Sequence, residues 1–427
     1  MVAFYFRGVC RTGVLPKRRW CLGYFCMAFV VFIAFGLSAV GGESFSIDAA
    51  FPGGNILVER IDGDTVHLRP DLRDTEGWWF YWNFRVADVP AGKTLTFDFG
   101  RPNPIGVRGP AVSTDGGASW CWLGADHVVD ASFTYTFDGP TSEAWFAFAV
   151  PYVESDLCAF LQAHDASAAL EADVLCKSLA GREVELLRAG CLTGNPKHRV
   201  LLTARHHACE SMASFVLEGI LDAVLADDPV GAWFQEHVEV LAIPFMDKDG
   251  VEQGDQGKNR RPRDHNRDYV GESIYPEVAA LRTLVPEWSD GLLRIALDLH
   301  CPYIRGDYNE HIYIVGSADS AIWERQQAFG ALLEEVNDGP LPYRASDNLP
   351  HGVAWNTASN LDGGLSFGRW AGGIPGIWFS GTLEIPYANV HGVPVTAESA
   401  RAFGRSLAEA IKTYLADESQ PRAKDKR

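Results

Sequence analysis

The chain has 427 residues, too many for one ordinary hydrophobic core, so two or three domains are expected. An apolar fraction of 47% beside 22% charged residues describes a folded globular protein. The net charge of −18 excludes nucleic acid as a partner, because phosphate binding calls for clustered basic residues.

Arg7, Arg11, Lys17, Arg18 and Arg19 precede an uncharged stretch from Trp20 to Val40, with small residues at Ser38, Ala39, Gly41 and Gly42. A basic flank, an apolar run and a small-residue site make residues 1–42 a signal peptide. The run at 20–40 is also nearly long enough to anchor in a bilayer. The expectation is an exported (periplasmic or secreted) or membrane-anchored protein, touching membrane only through this segment if it stays uncleaved. Met27 lies inside the run; a start there would remove the basic flank and leave the protein cytoplasmic. Six of the nine cysteines (Cys121, Cys158, Cys176, Cys191, Cys209, Cys301) lie beyond this segment, with no C-x-x-C pair. They form neither a disulfide framework nor a structural zinc site, and Cys209 and Cys301 read as small buried apolar residues.

From 45 to 161 short apolar runs separated by Gly, Pro and Asp predict an all-β antiparallel sandwich. The runs are Ile56–Val58, Thr65–Leu68, Trp78–Val86, Thr94–Phe99, Ser132–Phe137 and Ala144–Val150. The aromatic segment Trp78–Phe84 is expected to pack the sheets, with a carbohydrate-stacking surface as the alternative. A helix over Leu161–Leu175 would link to a second domain, 162–416. There the pattern predicts an α/β domain with a mixed, mostly parallel central sheet flanked by helices. Expected strands are Glu183–Leu187, Val200–Ala204, Val238–Phe245, Leu293–Leu299, His311–Val315 and Ile377–Leu383. Expected helices are Glu210–Ala226, Pro276–Val285, Ser320–Val336 and Thr396–Ala416. The charged tail 417–427 is expected to be disordered.

Within the second domain His207 and Glu210 fall where a strand gives way to a helix, the place where open α/β sheets bind ligands. His300 ends the strand Leu293–Leu299 and can point into the same crevice. Two such ligands plus a distant His make a His₂Glu zinc site with one position open for water, one Zn²⁺ per chain. Between them Gly257–Tyr269 carries five cations within ten residues, an anion-holding composition in which Arg forks a carboxylate and Asn adds a neutral donor. Glu384 stands at the tip of the last apolar strand, where a carboxylate beside activated water can serve as general base.

These motifs, His207-Ala208-Cys209-Glu210, Asp264-His265-Asn266-Arg267, Asp298-Leu299-His300 and Thr382-Leu383-Glu384, taken in order resemble the zinc metallocarboxypeptidases, in the cytosolic-carboxypeptidase-like branch. Leu68-Arg69-Pro70-Asp71, Trp79-Phe80-Tyr81 and Pro151–Leu157 extend the likeness to the accessory β domain of that branch, so that it covers roughly 45–416. The resemblance implies His207, Glu210 and His300 as zinc ligands, Asp264 as the hydrogen-bond partner of a ligating His, and Glu384 as the base. It implies Asn266 and Arg267 as holders of a substrate's terminal carboxylate. It also implies Arg260, with Arg261 competing, as the cation that polarises the scissile carbonyl. Arg369 matches the region lining the pocket for the substrate's last side chain, which implies a preference for Glu or Asp.

The implied function is removal of a C-terminal, acidic residue from a peptide or protein tail. One departure is that no Tyr occurs between Tyr343 and Tyr387, where the family has one closing over the substrate. The related deacylase reading, acting on acyl-amino acids or cell-wall peptides, therefore stays open. A non-catalytic binding module is the alternative outside the hydrolases.

Overall fold

A computed structural model describes residues 45–138, 143–361 and 363–417. The expected leader at 1–42 and the tail from 418 lie outside the described residues.

The N-terminal part consists of two five-stranded sheets. One runs in the order Ser46–Asp48, Asn83–Ala87, Ala144–Ala147, Ala111–Ser113, Cys121–Trp122. The other runs Leu57–Asp62, Thr65–Arg69, Thr94–Asp98, Ser132–Thr136, Val128–Val129. Alternation sends every second side chain inward, so Phe84 and Phe146 of the first sheet meet Phe97 and Phe133 of the second, with ring centroids 5.1–5.5 Å apart. Phe80, Tyr81, Trp82 and Phe84 are buried, as the packing reading of the aromatic run expects. Pairing is not antiparallel throughout: Thr65–Arg69 and Thr94–Asp98 run parallel.

The expected linking helix at Leu161–Leu175 is corrected. The helix is α1, Glu154–Ala163, and Leu170–Lys177 is strand β1. Asp156 starts α1 early by accepting from the Val153 N–H (2.7 Å). The next apolar residues alternate with Glu171 and Asp173, which suits a half-exposed strand.

The central sheet continues with β2 (Glu183–Gly190), β3 (His198–Ala204), β4 (Val238–Ile243), β5 (Leu293–His300), β6 (Tyr313–Val315) and β7 (Phe379–Glu384), in the order β1-β2-β4-β3-β5-β7-β6. The four inner strands β4, β3, β5 and β7 are parallel; the outer pairings are antiparallel. Helices cover both faces, which is why β4 and β5 read as continuous apolar runs. Val200, Leu202, Ile295 and Leu297 point to the face covered by α2 (Ser211–Leu225) and α8 (Ala397–Ala416). Leu201, Leu241 and Ala296 point to the face covered by α5 (Pro276–Ser289) and α7 (Phe367–Ala371). Helices α2 and α8 touch through glycines: a Cβ on Gly219 would lie 2.0 Å from the Arg401 carbonyl, and one on Gly404 would lie 2.2 Å from that of Val216. One hydrophobic cluster runs from Val66 in the N-terminal sheets through α2 to Leu415 in α8, so the two parts share a core.

Glu277, in the first turn of α5, is 2% exposed. Burial, with Asp247 and Asp249 adding to it, pushes its carboxyl from 4.5 up to about 8. The folded pKa exceeds the unfolded one, so ionisation costs stability progressively as pH rises through that window. Glu277→Gln should therefore raise the melting temperature at about pH 9 and leave it unchanged near pH 4. Thermal melts at the two pH values check this; a gain of equal size at both contradicts it.

Candidate metal centre

The centre is assembled at the C-terminal ends of β3, β5 and β7. After β3 the chain turns sharply at Arg205, whose backbone is left-handed (φ 61°). The buried Arg205 guanidinium holds the turn, donating to the carbonyls of Ala208 and Tyr152 (2.9 Å) and to Ser214 Oγ (3.1 Å). Glu210 occupies the position just before α2. In β5, period-two alternation puts Asp298 and His300 on one face. In the parallel ladder His300 is the register partner of Glu384, so their side chains leave the sheet together.

His207 Nδ1, Glu210 and His300 Nδ1 converge, with separations of 2.9 Å (His207 to Glu210 Oε1), 2.7 Å (His300 to Glu210 Oε2) and 3.0 Å between the two nitrogens. The far side of each imidazole is tied to a carboxylate. His300 Nε2 donates to Asp298 Oδ2 (2.6 Å), and His207 Nε2 faces Asp264 Oδ2 at 3.3 Å. Both bonds place the proton on Nε2 and turn the Nδ1 lone pairs toward Glu210. Three electron-pair donors then face one another, an arrangement a cation completes. Ligand atoms at zinc bond lengths stand about 3.3 Å apart in a tetrahedron, so the donor set fits zinc with a small outward movement. Burial opposes charge on His300, yet Asp298 and Glu210 raise its pKa well above the usual range, so a proton competes with a cation for the Nδ1 lone pair. That same negative potential favours a divalent cation.

Two other groups of potential ligands occur among the described residues. His206, Asp298 and His300 form a hydrogen-bonded chain: the Tyr269 hydroxyl donates to His206 Nε2 (2.8 Å), and His206 Nδ1 donates to Asp298 Oδ1 (2.7 Å). The Thr203 hydroxyl adds a bond to the same oxygen (2.8 Å). In the third, His391 binds Asp347 (2.6 Å), but His311 and His391 are stacked with centroids 4.2 Å apart and 14° between planes. Stacked rings send their in-plane lone pairs along parallel lines, which do not meet at one ion.

Glu384 is 5% exposed, and its Oε2 is buried without a hydrogen-bond partner. Burial, reinforced by Glu210 and opposed by His300 and Lys258, lifts its carboxyl to about 7. Tyr313 is Glu384's register partner on the antiparallel edge strand β6. A buried phenol therefore neighbours Glu384, contributed from a position well before the interval where the sequence lacks a Tyr. Asn266 Oδ1 accepts from the Phe367 N–H (2.8 Å), and Asn266 Nδ2 lies 3.1 Å from His300 Nε2. Arg267 is beside it, donating to the Asn266 carbonyl (2.8 Å). Arg369 is exposed in the last turn of α7.

The assignment to Arg260 is corrected. Its guanidinium is consumed by three carboxylates, Asp74 (3.0 Å), Asp247 (2.9 Å) and Asp255 (2.5 Å), and the residue is buried. Arg261, the competitor, is exposed and pairs with Glu76. Arg263 pairs with Asp268 (2.6 Å). Three of the five cations in this loop thus neutralise the protein's own acids. The cation beside the cluster is Lys258, with Nζ 3.4 Å from Glu210 Oε1. Sequence reasoning counted Lys258 only as part of a basic loop. Asp298 stands in the sequence motif Asp298-Leu299-His300 without a role, although the spacing to His300 on a strand signals a shared face.

No protein-family model matches the chain. It is 24% identical over 311 residues to cytosolic carboxypeptidase 2 of Xenopus tropicalis, covering 67% of this chain and 31% of that protein. It is 24% identical over 412 residues to cytosolic carboxypeptidase 6 of Mus musculus, covering 86% of this chain and 73% of that protein. The chain spans about a third of the length of the first curated relatives it matches. A metallo-carboxypeptidase from Burkholderia cenocepacia superposes with a TM-score of 0.71 at 23% identity, over 87% of this chain and 99% of that one. One from Pseudomonas aeruginosa, in complex with (2-guanidinoethylmercapto)succinic acid, gives 0.69 at 19%, with the same coverage.

The fold and the cluster define an α/β protein with a buried His₂Glu group that could hold a metal ion, and the solved structures share that fold. The curated relatives are cytosolic carboxypeptidases, so at 24% identity the chain is similar to the cytosolic-carboxypeptidase-like branch of the metallocarboxypeptidases.

The expectation of export or anchoring through residues 20–40 is corrected by this comparison, because the curated relatives are named cytosolic carboxypeptidases. Among the described residues no helix is long and apolar enough to cross a membrane.

If Arg260 is structural, Arg260→Ala leaves buried Asp247 and Asp255 without their cation and should cost about 3–5 kcal/mol of stability. Urea unfolding measures it, and a midpoint equal to that of the parent would remove Arg260 from this role.

Proposed function

We propose that this chain is a zinc-dependent carboxypeptidase that removes one C-terminal residue, by preference Glu or Asp, from peptides or protein tails. The observation that carries the reading is the convergence of His207 Nδ1, Glu210 and His300 Nδ1 beside the buried, register-paired Glu384. His207, Glu210 and His300 would hold the ion. Bound zinc supplies a Lewis acid that activates water and polarises the scissile carbonyl. Asp298 and Asp264 keep the two imidazoles in the tautomer that offers Nδ1.

Glu384 takes the proton of the attacking water and returns it to the leaving amine. Its raised pKa, near 7 through burial, suits a group that must do both. Arg267, with the Nδ2 donors of Asn266, holds the terminal carboxylate by charge-assisted hydrogen bonds. Arg369, a cation on α7, supports the acidic preference by charge pairing. In this reading 162–416 carries the chemistry and 45–161 is the accessory part. That part fastens the loop beneath the cluster: Gln256 Nε2 donates to the Tyr81 carbonyl (2.9 Å), and Asn55 Nδ2 donates to the Gly254 carbonyl (2.7 Å). The intact, buried ligand set speaks against a non-catalytic binding module.

The test is zinc-loaded protein incubated with short peptides ending in Glu, Asp, Leu or Lys, with products read by mass. Loss of a single terminal Glu or Asp is expected, and Arg369→Ala should depress those reactions far more than any on a Leu-ending peptide. No release from any peptide by zinc-bound protein contradicts the peptidase reading and leads to acyl-amino acids as substrates. Glu384→Gln should keep its zinc and lose about 10²–10⁴-fold in kcat; near-parental turnover would sink the base assignment.

A further inference from the structure

With Arg260 withdrawn, the proposed reaction has no side-chain hydrogen-bond donor to join the metal at the carbonyl oxygen as it takes up negative charge. Such donors supply a large share of acyl-transfer catalysis. Lys258 is the cation that the fold delivers to this place. Its Nζ lies 3.4 Å from Glu210 Oε1, and its side chain is 24% exposed, open on one side to solvent. The ammonium stands over the Trp79 ring, 5.7 Å from the centroid, a contact that steadies a cation without consuming a hydrogen bond.

Its position is built rather than incidental. Gly257 has φ +75°, and a Cβ there would lie 2.1 Å from the Ala208 backbone nitrogen. Only glycine lets the loop press this closely against the His207–Glu210 turn. The Cys209 N–H then donates to the Gln256 carbonyl (3.2 Å), and Gln256 Oε1 accepts from the Tyr81 N–H (2.7 Å). The residue before the glycine is thus bonded to both the metal-binding turn and the N-terminal sheets, and the residue after it is Lys258. A surface lysine satisfying one carboxylate would need none of this. Arg260, two residues on, is pinned by three carboxylates, so the loop divides its cations between structure and site.

We propose that Lys258 donates the hydrogen bond that stabilises the oxyanion in the reaction described under Proposed function, on which this inference rests. Water adds to the carbonyl carbon, the π pair moves to the carbonyl oxygen, and the water proton goes to Glu384. Lys258 keeps its proton and donates a hydrogen bond to that oxygen. When the pair returns, the C–N bond breaks and the amine leaves with the proton from Glu384. Lys258 takes no part in proton transfer; its charge and its N–H do the work.

The test uses the full chain loaded with zinc, as parent, Lys258→Met and Lys258→Arg. Zinc content, kcat and KM are measured, and inorganic phosphate, a tetrahedral oxyanion, is titrated by calorimetry. Lys258→Met should retain its zinc, lose about 10²–10³-fold in kcat with little change in KM, and bind phosphate at least about tenfold more weakly. Lys258→Arg should recover part of both losses. If Lys258→Met does not fold, Lys258→Gln replaces it with the same expectations.

Parental kcat and phosphate affinity in the Met variant would overturn the proposal. So would loss of zinc, which would make Lys258 a positioning partner of Glu210. If the parent cleaves no peptide, the peptidase reading fails, and phosphate calorimetry still decides the role of Lys258.

Discussion

Register between three parallel strands governs this site. His207 lies three residues past the end of β3, and His300 ends β5. Glu384 ends β7 as the ladder partner of His300. Residues separated by up to 177 positions meet because the three strands stop at one level, with helices closing both faces. A slip of one residue in either ladder would turn His300 or Glu384 to the opposite face and dissolve the cluster. The close fit of α2 and α8 through Gly219 and Gly404 helps hold that register from one side.

On that frame the electrostatics are layered outward. The innermost atoms are two imidazole nitrogens and a carboxylate. Around them Asp298 and Asp264 bind the outer imidazole nitrogens, His206 in turn binds Asp298, and Tyr269 binds His206. Each layer fixes the proton position of the one inside it, so the donor set is preorganised toward a cation. The loop from Asp255 to Arg267 is sorted by the same logic. Asp74, Asp247 and Asp255 hold Arg260 away from chemistry, and Gly257 brings Lys258 in.

Much of this was legible in the sequence because it is periodic. The continuous apolar runs of β3, β4, β5 and β7 and the helix Ser320–Val336 follow from burial on two faces and from the Asp319 cap. His207, Glu210, His300 and Glu384 sit at strand ends, where the pattern changes. Position in space was less legible. Five cations in one loop look alike in sequence. Only the fold shows which meet Asp247, Asp255, Glu76 or Asp268 and which meets Glu210. Likewise Tyr313 reaches Glu384 by antiparallel pairing on an edge strand, a neighbour that no interval in the sequence points to. The expected helix Leu161–Leu175 runs into the strand Leu170–Lys177 because the apolar spacing there is short and the true helix start lies upstream, at Val153 with Asp156 accepting from its N–H.

The most direct test of the central claim is an anomalous difference map at the zinc absorption edge, from crystals of protein purified without chelator. The account requires one peak per chain, bonded to His207 Nδ1, Glu210 and His300 Nδ1. The absence of a peak there, or a peak bonded instead to His311, Asp347 and His391, would contradict it.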